Sequence, residues 1–161
     1  MKKRPFLHII LLVVSVLIIA YLIAALLDTF EPVVSAEEFT SIMEEAGYNV
    51  EEMAHPFEQV EVYLVADCGA FEVEYLTHET IAEARLTFAQ LRSDLEQLEQ
   101  VRDKVVSLWS SSGFNSNSFY GQVTSDWKWA RMDRIRSTII FVSTEEENAA
   151  YVEDIFEMLG R

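Results

Sequence analysis

An apolar run near the amino terminus constrains this chain more than any other feature. Residues 9–27 contain no charged side chain, and a helix of these 19 residues is roughly 28 Å long at about 1.5 Å per residue. That length matches the hydrocarbon core of a bilayer, so the run predicts a single transmembrane helix. Lys2, Lys3 and Arg4 precede the run and acidic residues follow it. This asymmetry predicts a cell-membrane protein with a cytoplasmic amino terminus and an extracytoplasmic carboxyl-terminal domain.

The same run has a competing interpretation as a cleaved secretory signal. Small residues at Ser35 and Ala36 would allow a peptidase to cut after Ala36, which would release a secreted domain. However, the apolar run exceeds the roughly 7–15 residues of an ordinary signal core. Ser35 with Glu38 also matches a capping box, the S-x-x-E pattern that starts a helix. We therefore expect the segment to be retained as an anchor.

The rest of the chain reads as one acidic domain. We divide it into residues 1–27, the cytoplasmic tip and transmembrane helix, residues 28–34, a linker, and residues 35–161, an extracytoplasmic domain long enough for one core. All 27 acids and nine of the 12 bases lie in residues 28–161, which gives this part a formal charge of −18. Such a charge disfavours nucleic acid as a partner and favours solubility or cationic partners. Cys68 is the single cysteine, so the chain forms no internal disulfide.

Hydrophobic spacing predicts an α+β fold for this domain. A first helix begins at Ser35, a β-hairpin covers residues 60–66 and 71–75, and a long amphipathic helix runs to Leu98. Three extended segments at 119–123, 127–134 and 137–143 precede a last helix, for which Thr144 and Glu147 predict a second capping box. The predicted order is α-ββ-α-βββ-α, an antiparallel sheet of about five strands with helices on a single face. This order admits a repeated ββα unit.

Residues 126–136 are the most distinctive candidate for a binding surface. Four of the nine bases after residue 27 fall within nine residues here. Strand alternation places Trp127, Trp129 and Arg131 on one face, where aromatic rings and a guanidinium predict a stacking site for carbohydrate or peptide. We take Trp127, Trp129, Arg131 and Arg134 as the candidate contacts. The alternative is that the tryptophans belong to the core and the bases pair with neighbouring acids.

The sequence contains no recognised motif for catalysis, a metal or a cofactor. It lacks an EF-hand loop, a P-loop, G-x-S-x-G and H-E-x-x-H, and the acids near His55 lack the spacing of metal ligands. We therefore expect no metal, no cofactor and no enzymatic activity. One alternative is an enzyme that acts on envelope material, which would require a cleft where acids such as Glu72 and Glu74 face an arginine. A structural domain that associates with itself is a third possibility.

Three segments resemble uncharacterised bacterial proteins with a small membrane-tethered domain. These segments are Ser35-Ala36-Glu37-Glu38-Phe39, Gly47-Tyr48 and Arg134-Ile135-Arg136-Ser137-Thr138-Ile139-Ile140. The resemblance implies a helix start and the entry to a strand, and it implies no activity. Independently of this resemblance, we expect a membrane-anchored binding or assembly module with a protein or cell-envelope partner.

Overall fold

The computed structural model describes the backbone of residues 4–29, 33–54, 58–100, 105–112, 115–123 and 128–161. Side chains are described for residues 10, 12–23, 33–54, 58–95, 115–119 and 129–161. The chain divides into two compact units, Met1–Glu31 and Pro32–Arg161. The boundary between them falls inside the predicted linker.

The first unit contains a single described helix, α1, at Arg4–Thr29. Apolar side chains along it are exposed within the unit, including those of Leu12, Leu17 and Tyr21. Among the residues that the structure describes, no helix has both the length and the apolar character required to cross a membrane.

The second unit contains three α-helices and seven β-strands in the part of the chain that the structure describes. In chain order they are α2 (Ala36–Glu45), β1 (Asn49–Glu52), β2 (Val60–Asp67), β3 (Glu72–His78), α3 (Ile81–Gln100), β4 (Val105–Ser112), β5 (Ser116–Val123), β6 (Lys128–Ile135), β7 (Thr138–Glu145) and α4 (Ala149–Met158). A short 3₁₀ turn, Glu146–Asn148, joins β7 to α4.

All seven described strands form one antiparallel sheet in the order β1-β2-β3-β7-β6-β5-β4. The predicted α+β class and antiparallel sheet are therefore confirmed, but the predicted number of about five strands is wrong. The additional strands are the two edges, β1 and β4. Strand β1 has four residues, of which three are polar, and the eight residues of β4 show no regular alternation of polar and apolar side chains. Neither segment carries the period-two pattern by which a strand is recognised.

Helices pack on both faces of the sheet, whereas the sequence analysis placed them on one face. One core contains Phe39 of α2, Phe156 of α4 and Ile140 of β7. A second core, on the other face, contains Phe88 of α3 and Ile139 of β7. The consecutive apolar residues of β7 point alternately to the two cores, so this central strand is covered on both sides.

Capping boxes start two of the described helices. Before α2, the hydroxyl of Ser35 accepts a hydrogen bond from the backbone N–H of Glu38 at 3.2 Å, and the Glu38 carboxylate accepts from the Ser35 N–H at 2.9 Å. Thr80 and Glu83 make the same exchange before α3, at 3.2 and 3.0 Å. The sequence identified the first of these boxes, which is confirmed.

The capping box predicted at Thr144 and Glu147 does not form. Strand β7 continues to Glu145, so Thr144 lies inside the strand rather than at a helix start. Its hydroxyl accepts a hydrogen bond from the side-chain amide of Asn148 at 3.0 Å. This prediction was wrong because the S/T-x-x-E pattern does not show how far the preceding strand extends.

Candidate functional site

An open cleft of about 350 Å³ lies at the turn end of the β2–β3 hairpin. Glu74 shares a sheet face with Leu76, and Ser143 of β7 shares it with Ile139, so this part of the cleft lies on the α3 side. The described residues that line the cleft are Asp67, Gly69, Ala70, Phe71, Glu72, Glu74 and Ser143.

The turn that closes the hairpin shapes one wall of the cleft. Gly69 adopts a φ of 81°, a conformation that favours glycine, and its N–H donates to Asp67 Oδ1 at 2.7 Å. The N–H of Cys68 donates to the Phe71 carbonyl at 3.0 Å. Burial and the charge of Asp67 raise the pKa of the half-buried Cys68 thiol to about 11. The thiol is therefore protonated at neutral pH and a weak nucleophile.

Two carboxylates of the cleft face each other across the hairpin. Asp67 and Glu72 are direct partners in the register of β2 with β3, and both side chains are exposed. Like charges in opposite positions on neighbouring strands disfavour the folded state. A bound cation would relieve this repulsion.

The third carboxylate, Glu74, lies deeper and has a hydrogen-bond partner. The hydroxyl of Tyr63 on β2 donates to Glu74 Oε2 at 2.8 Å. Burial raises the pKa of Glu74, the hydrogen bond from Tyr63 lowers it, and the charge of Glu72 raises it, with a net upward shift. Burial, this hydrogen bond and the charge of Glu74 also raise the pKa of Tyr63. Glu74 is therefore the carboxylate of the cleft whose charge the protein environment disfavours.

The chemistry of this lining suits a cationic group. Three carboxylates and the Ser143 hydroxyl supply hydrogen-bond acceptors, and the described lining contains no lysine or arginine. A primary ammonium or a guanidinium donates to such acceptors. Among the residues that the structure describes, no group of three or more His, Cys, Asp or Glu side chains is arranged to hold a metal ion.

The structure describes only one of the two tryptophans of the predicted stacking site. Trp127 lies outside the described residues. Trp129 is half-buried and packs against the core shared with α2 and α4. Its position agrees with the alternative interpretation of the sequence, in which the tryptophans contribute to the core.

Arg131 is buried between β6 and α4, with 5% of its surface exposed. Its guanidinium donates to Asp133 Oδ2 at 3.1 Å and to Glu153 of α4. The guanidinium carbon also lies 4.0 Å from the centre of the Phe156 ring. Asp133 is buried as well, so Arg131 and Asp133 form a buried ion pair within β6. The contact between Arg131 and Glu153, whose side chain is 43% exposed, links β6 to α4.

Arg134 is fully buried on the opposite face of β6. Its Nε and Nη2 donate to Asn117 Oδ1 at 2.8 and 2.6 Å, and its Nη1 donates to the backbone carbonyl of Arg136 at 2.7 Å. These bonds join β5, β6 and the β6–β7 turn. Both guanidinium groups are therefore directed inward, where they bind other parts of the domain. Partner binding by the four predicted residues stays a prediction.

The sequence predicted only part of the cleft lining. Glu72 and Glu74 were predicted to face an arginine in the cleft of an enzyme, and both line the cleft. Tyr63, Asp67 and Ser143 were not predicted. A signal for Asp67 was present, since acids on either side of a tight turn are brought together by the hairpin register. The sequence does not show that β7 lies next to β3, so Ser143 carried no signal.

Comparisons of the chain with protein-family models, with curated proteins and with solved structures found no match.

Proposed function

We propose that this protein is a single-pass membrane protein that displays a binding domain outside the cell and holds a cationic group of a protein partner in the cleft. The observation that carries this proposal is the lining of the cleft, which contains three carboxylates and no lysine or arginine among the described residues. The formal charge of −18 over residues 28–161 adds long-range attraction for a cationic partner.

The anchor in this proposal rests on the sequence of residues 9–27 and on the cations before it. Protease added to intact cells is expected to digest the domain, and the membrane-bound protein is expected to keep its full mass. Protection of the domain from the protease would contradict the proposed orientation. Mature protein that begins at Glu37 would contradict retention in the membrane.

Binding in the cleft can be tested with a defined cationic probe. The full chain in detergent micelles is titrated with a lysine-rich peptide while the backbone amide signals are followed by NMR. The signals of residues 67–74 are expected to shift, and the shifts are expected to weaken as salt increases. A double variant, Glu72→Gln with Glu74→Gln, is expected to lose most of this response.

A matched control separates the cleft from the general acidity of the domain. Glu51 and Glu52 are exposed acids on the opposite side of β2, and neither lines the cleft. The double variant Glu51→Gln with Glu52→Gln has the same net charge as the cleft variant and is expected to bind the peptide as the wild type does. Equal losses in the two variants would mean that diffuse charge, rather than the cleft, attracts the peptide.

An enzyme acting on envelope material is the second candidate function. Glu74 favours it, because a carboxyl group with a raised pKa in a cleft is suited to act as a general acid. The arginine that this mechanism was expected to need is not among the described lining residues. If the protein turns over an envelope substrate, and if Glu74→Gln loses this activity while Glu51→Gln keeps it, the enzyme becomes the favoured function.

A further inference from the structure

Strand β4 forms one edge of the sheet and has an unusual composition for an edge. Its partner is β5, with regular pairing from Ser107 opposite Gln122 to Ser112 opposite Asn117. Within the described strands, none pairs with the other side of β4. Its eight residues, VVSLWSSS, include no charge and no proline. Proteins usually protect an edge with charges, prolines or a short length, because its backbone groups can pair with another strand.

The opposite edge of the sheet shows this protection. Strand β1 is four residues long, and two of them, Glu51 and Glu52, are exposed acids. A short, charged edge disfavours pairing with a further strand. By length and composition, β1 therefore has the protection expected of an edge strand and β4 does not.

Charge is distributed unevenly across the sheet, and this distribution indicates what pairs with β4. Strands β1, β2 and β3 each contain two acids and no lysine or arginine, whereas β4 and β5 contain no charged residue. Two copies that meet at β4 place their acidic strands at opposite ends of the combined sheet. For a chain with a formal charge of −15, this arrangement minimises repulsion between copies. A basic partner would find complementary charge at β1–β3 instead.

We propose that β4 pairs antiparallel with β4 of a second copy, so that the two sheets become one. A twofold axis perpendicular to the sheet relates the two copies, since this axis reverses the strand and keeps each sheet face. The pairing then places one residue of 106–111 opposite the same residue of the other copy. Two positions further along, identical residues are separated by about four residues of strand, or roughly 13 Å.

This geometry can be tested by a cysteine scan. The full chain carries Cys68→Ser and one new cysteine at each position from 106 to 111 in turn, and it is oxidised mildly in detergent. Disulfide-linked dimer is expected to peak at one position and to be at least about tenfold weaker two positions away, where the sulfur atoms cannot meet. The proposal would be overturned if no position gave disulfide-linked dimer or if all positions gave similar amounts. Dimers that form through another surface of the domain would give such a profile. Wild-type Cys68, in the β2–β3 turn, is the control for random collision.

The oligomeric state provides a second readout. Light scattering in detergent is expected to give a dimer for the wild type, and Ser110→Lys is expected to raise the dimer dissociation constant at least about tenfold by adding a charge to the edge. Asn49→Lys, the matched change on β1, is expected to leave the dimer unchanged. A monomeric wild type overturns the proposal, as does equal weakening by the two lysines. If circular dichroism shows that Ser110→Lys is unfolded, the cysteine scan decides.

Discussion

The Tyr63 hydroxyl donates a hydrogen bond of 2.8 Å to Oε2 of Glu74, in a cleft where the other charged residues that are described are also acids. Burial and the charge of Glu72 disfavour the ionised form of Glu74, and Tyr63 stabilises it. The hydrogen bond thus offsets part of the cost of a charge in this position. A carboxylate kept where its surroundings oppose its charge is more typical of a functional site than of a stabilising contact.

Replacing Tyr63 with Phe is expected to raise the pKa of Glu74 further. The variant removes the hydrogen bond that favours the carboxylate and keeps the aromatic ring that packs against the α3 core. The measurement is a carbon-detected NMR titration of the Glu74 carboxyl group. Tyr151→Phe, at an exposed position on α4, is the control and is expected to leave this pKa unchanged. An unchanged pKa in Tyr63→Phe would mean that the hydrogen bond does not form in solution.

Glu74→Gln is expected to stabilise the domain at neutral pH. Because the pKa of Glu74 is raised in the folded state, the folded chain holds a proton that the unfolded chain has lost, and stability falls as pH rises through this interval. Glutamine carries no charge and still accepts a hydrogen bond from Tyr63, so the free energy of unfolding at pH 7 should increase by up to about 1 kcal/mol. Urea denaturation at pH 7 checks this result. A variant less stable than wild type would assign Glu74 a stabilising role instead.

Arg131→Met is expected to destabilise the domain by about 3–5 kcal/mol, because it leaves the buried Asp133 charge without its partner. Urea denaturation measures the loss. The double variant Arg131→Met with Asp133→Leu should recover part of it, since neither charge of the buried pair remains. Arg85→Met, at an exposed position on α3, should change stability by less than about 0.5 kcal/mol. A small effect of Arg131→Met would show that the ion pair is open to solvent.

The fold was predictable where one residue pattern determined one structure. The alternation of residues on both sides of the Asp67–Gly69 turn predicted the hairpin, and the structure confirms it. The placement of α3 on its own face was not predictable, because amphipathic spacing shows that a helix has a buried side but not which sheet face covers it. The edges were missed because an edge strand buries too little to impose a pattern.

The burial of Arg131 and Arg134 was not predictable from the sequence, for a physical reason that differs from the one at the sheet edges. Arg131 and Arg134 belong to the cluster of bases in residues 128–136, which is typical of a solvent-exposed binding surface. Their burial depends on Glu153 and Asn117, which are distant in sequence and supply the compensating hydrogen bonds. Burying a guanidinium is unfavourable unless hydrogen-bond partners compensate for the lost water. Which residues become these partners depends on strand order and helix packing, which the sequence does not show.

Ser35→Ala is expected to reduce stability by about 1 kcal/mol through loss of the capping box before α2. Hydrogen bonds from the backbone N–H and the side chain of Ser35 lower the pKa of Glu38. The variant keeps the bond from the backbone N–H and loses the one from the side chain, so this pKa should move part of the way back toward its ordinary value. Urea denaturation and an NMR titration measure the two effects. Ser41→Ala removes a serine from the same helix at an exposed position and is the control. Equal effects of the two substitutions would show that the cap contributes nothing.

A buried histidine, His78, connects β3 to α3. His78 is 2% exposed, with Nδ1 3.3 Å from the Ser137 carbonyl and Nε2 2.7 Å from the Thr87 hydroxyl. Since a carbonyl accepts hydrogen bonds and cannot donate them, Nδ1 carries the hydrogen and Nε2 accepts from Thr87 in the neutral ring. Burial lowers the pKa of His78, although the Ser137 carbonyl and the charges of Glu83 and Glu61 act in the opposite direction.

The free energy of unfolding is therefore expected to fall as pH decreases below about 6.5, where the unfolded histidine gains a proton that the folded one resists. Above that pH the contribution is fully present. Urea denaturation from pH 7.5 to 5 of the wild type and of His78→Gln separates this effect from the titration of other groups, because those groups are common to both proteins. The difference in stability between the two proteins should shrink as the pH falls. A constant difference over this range would mean that His78 has the same pKa in the folded and unfolded chains.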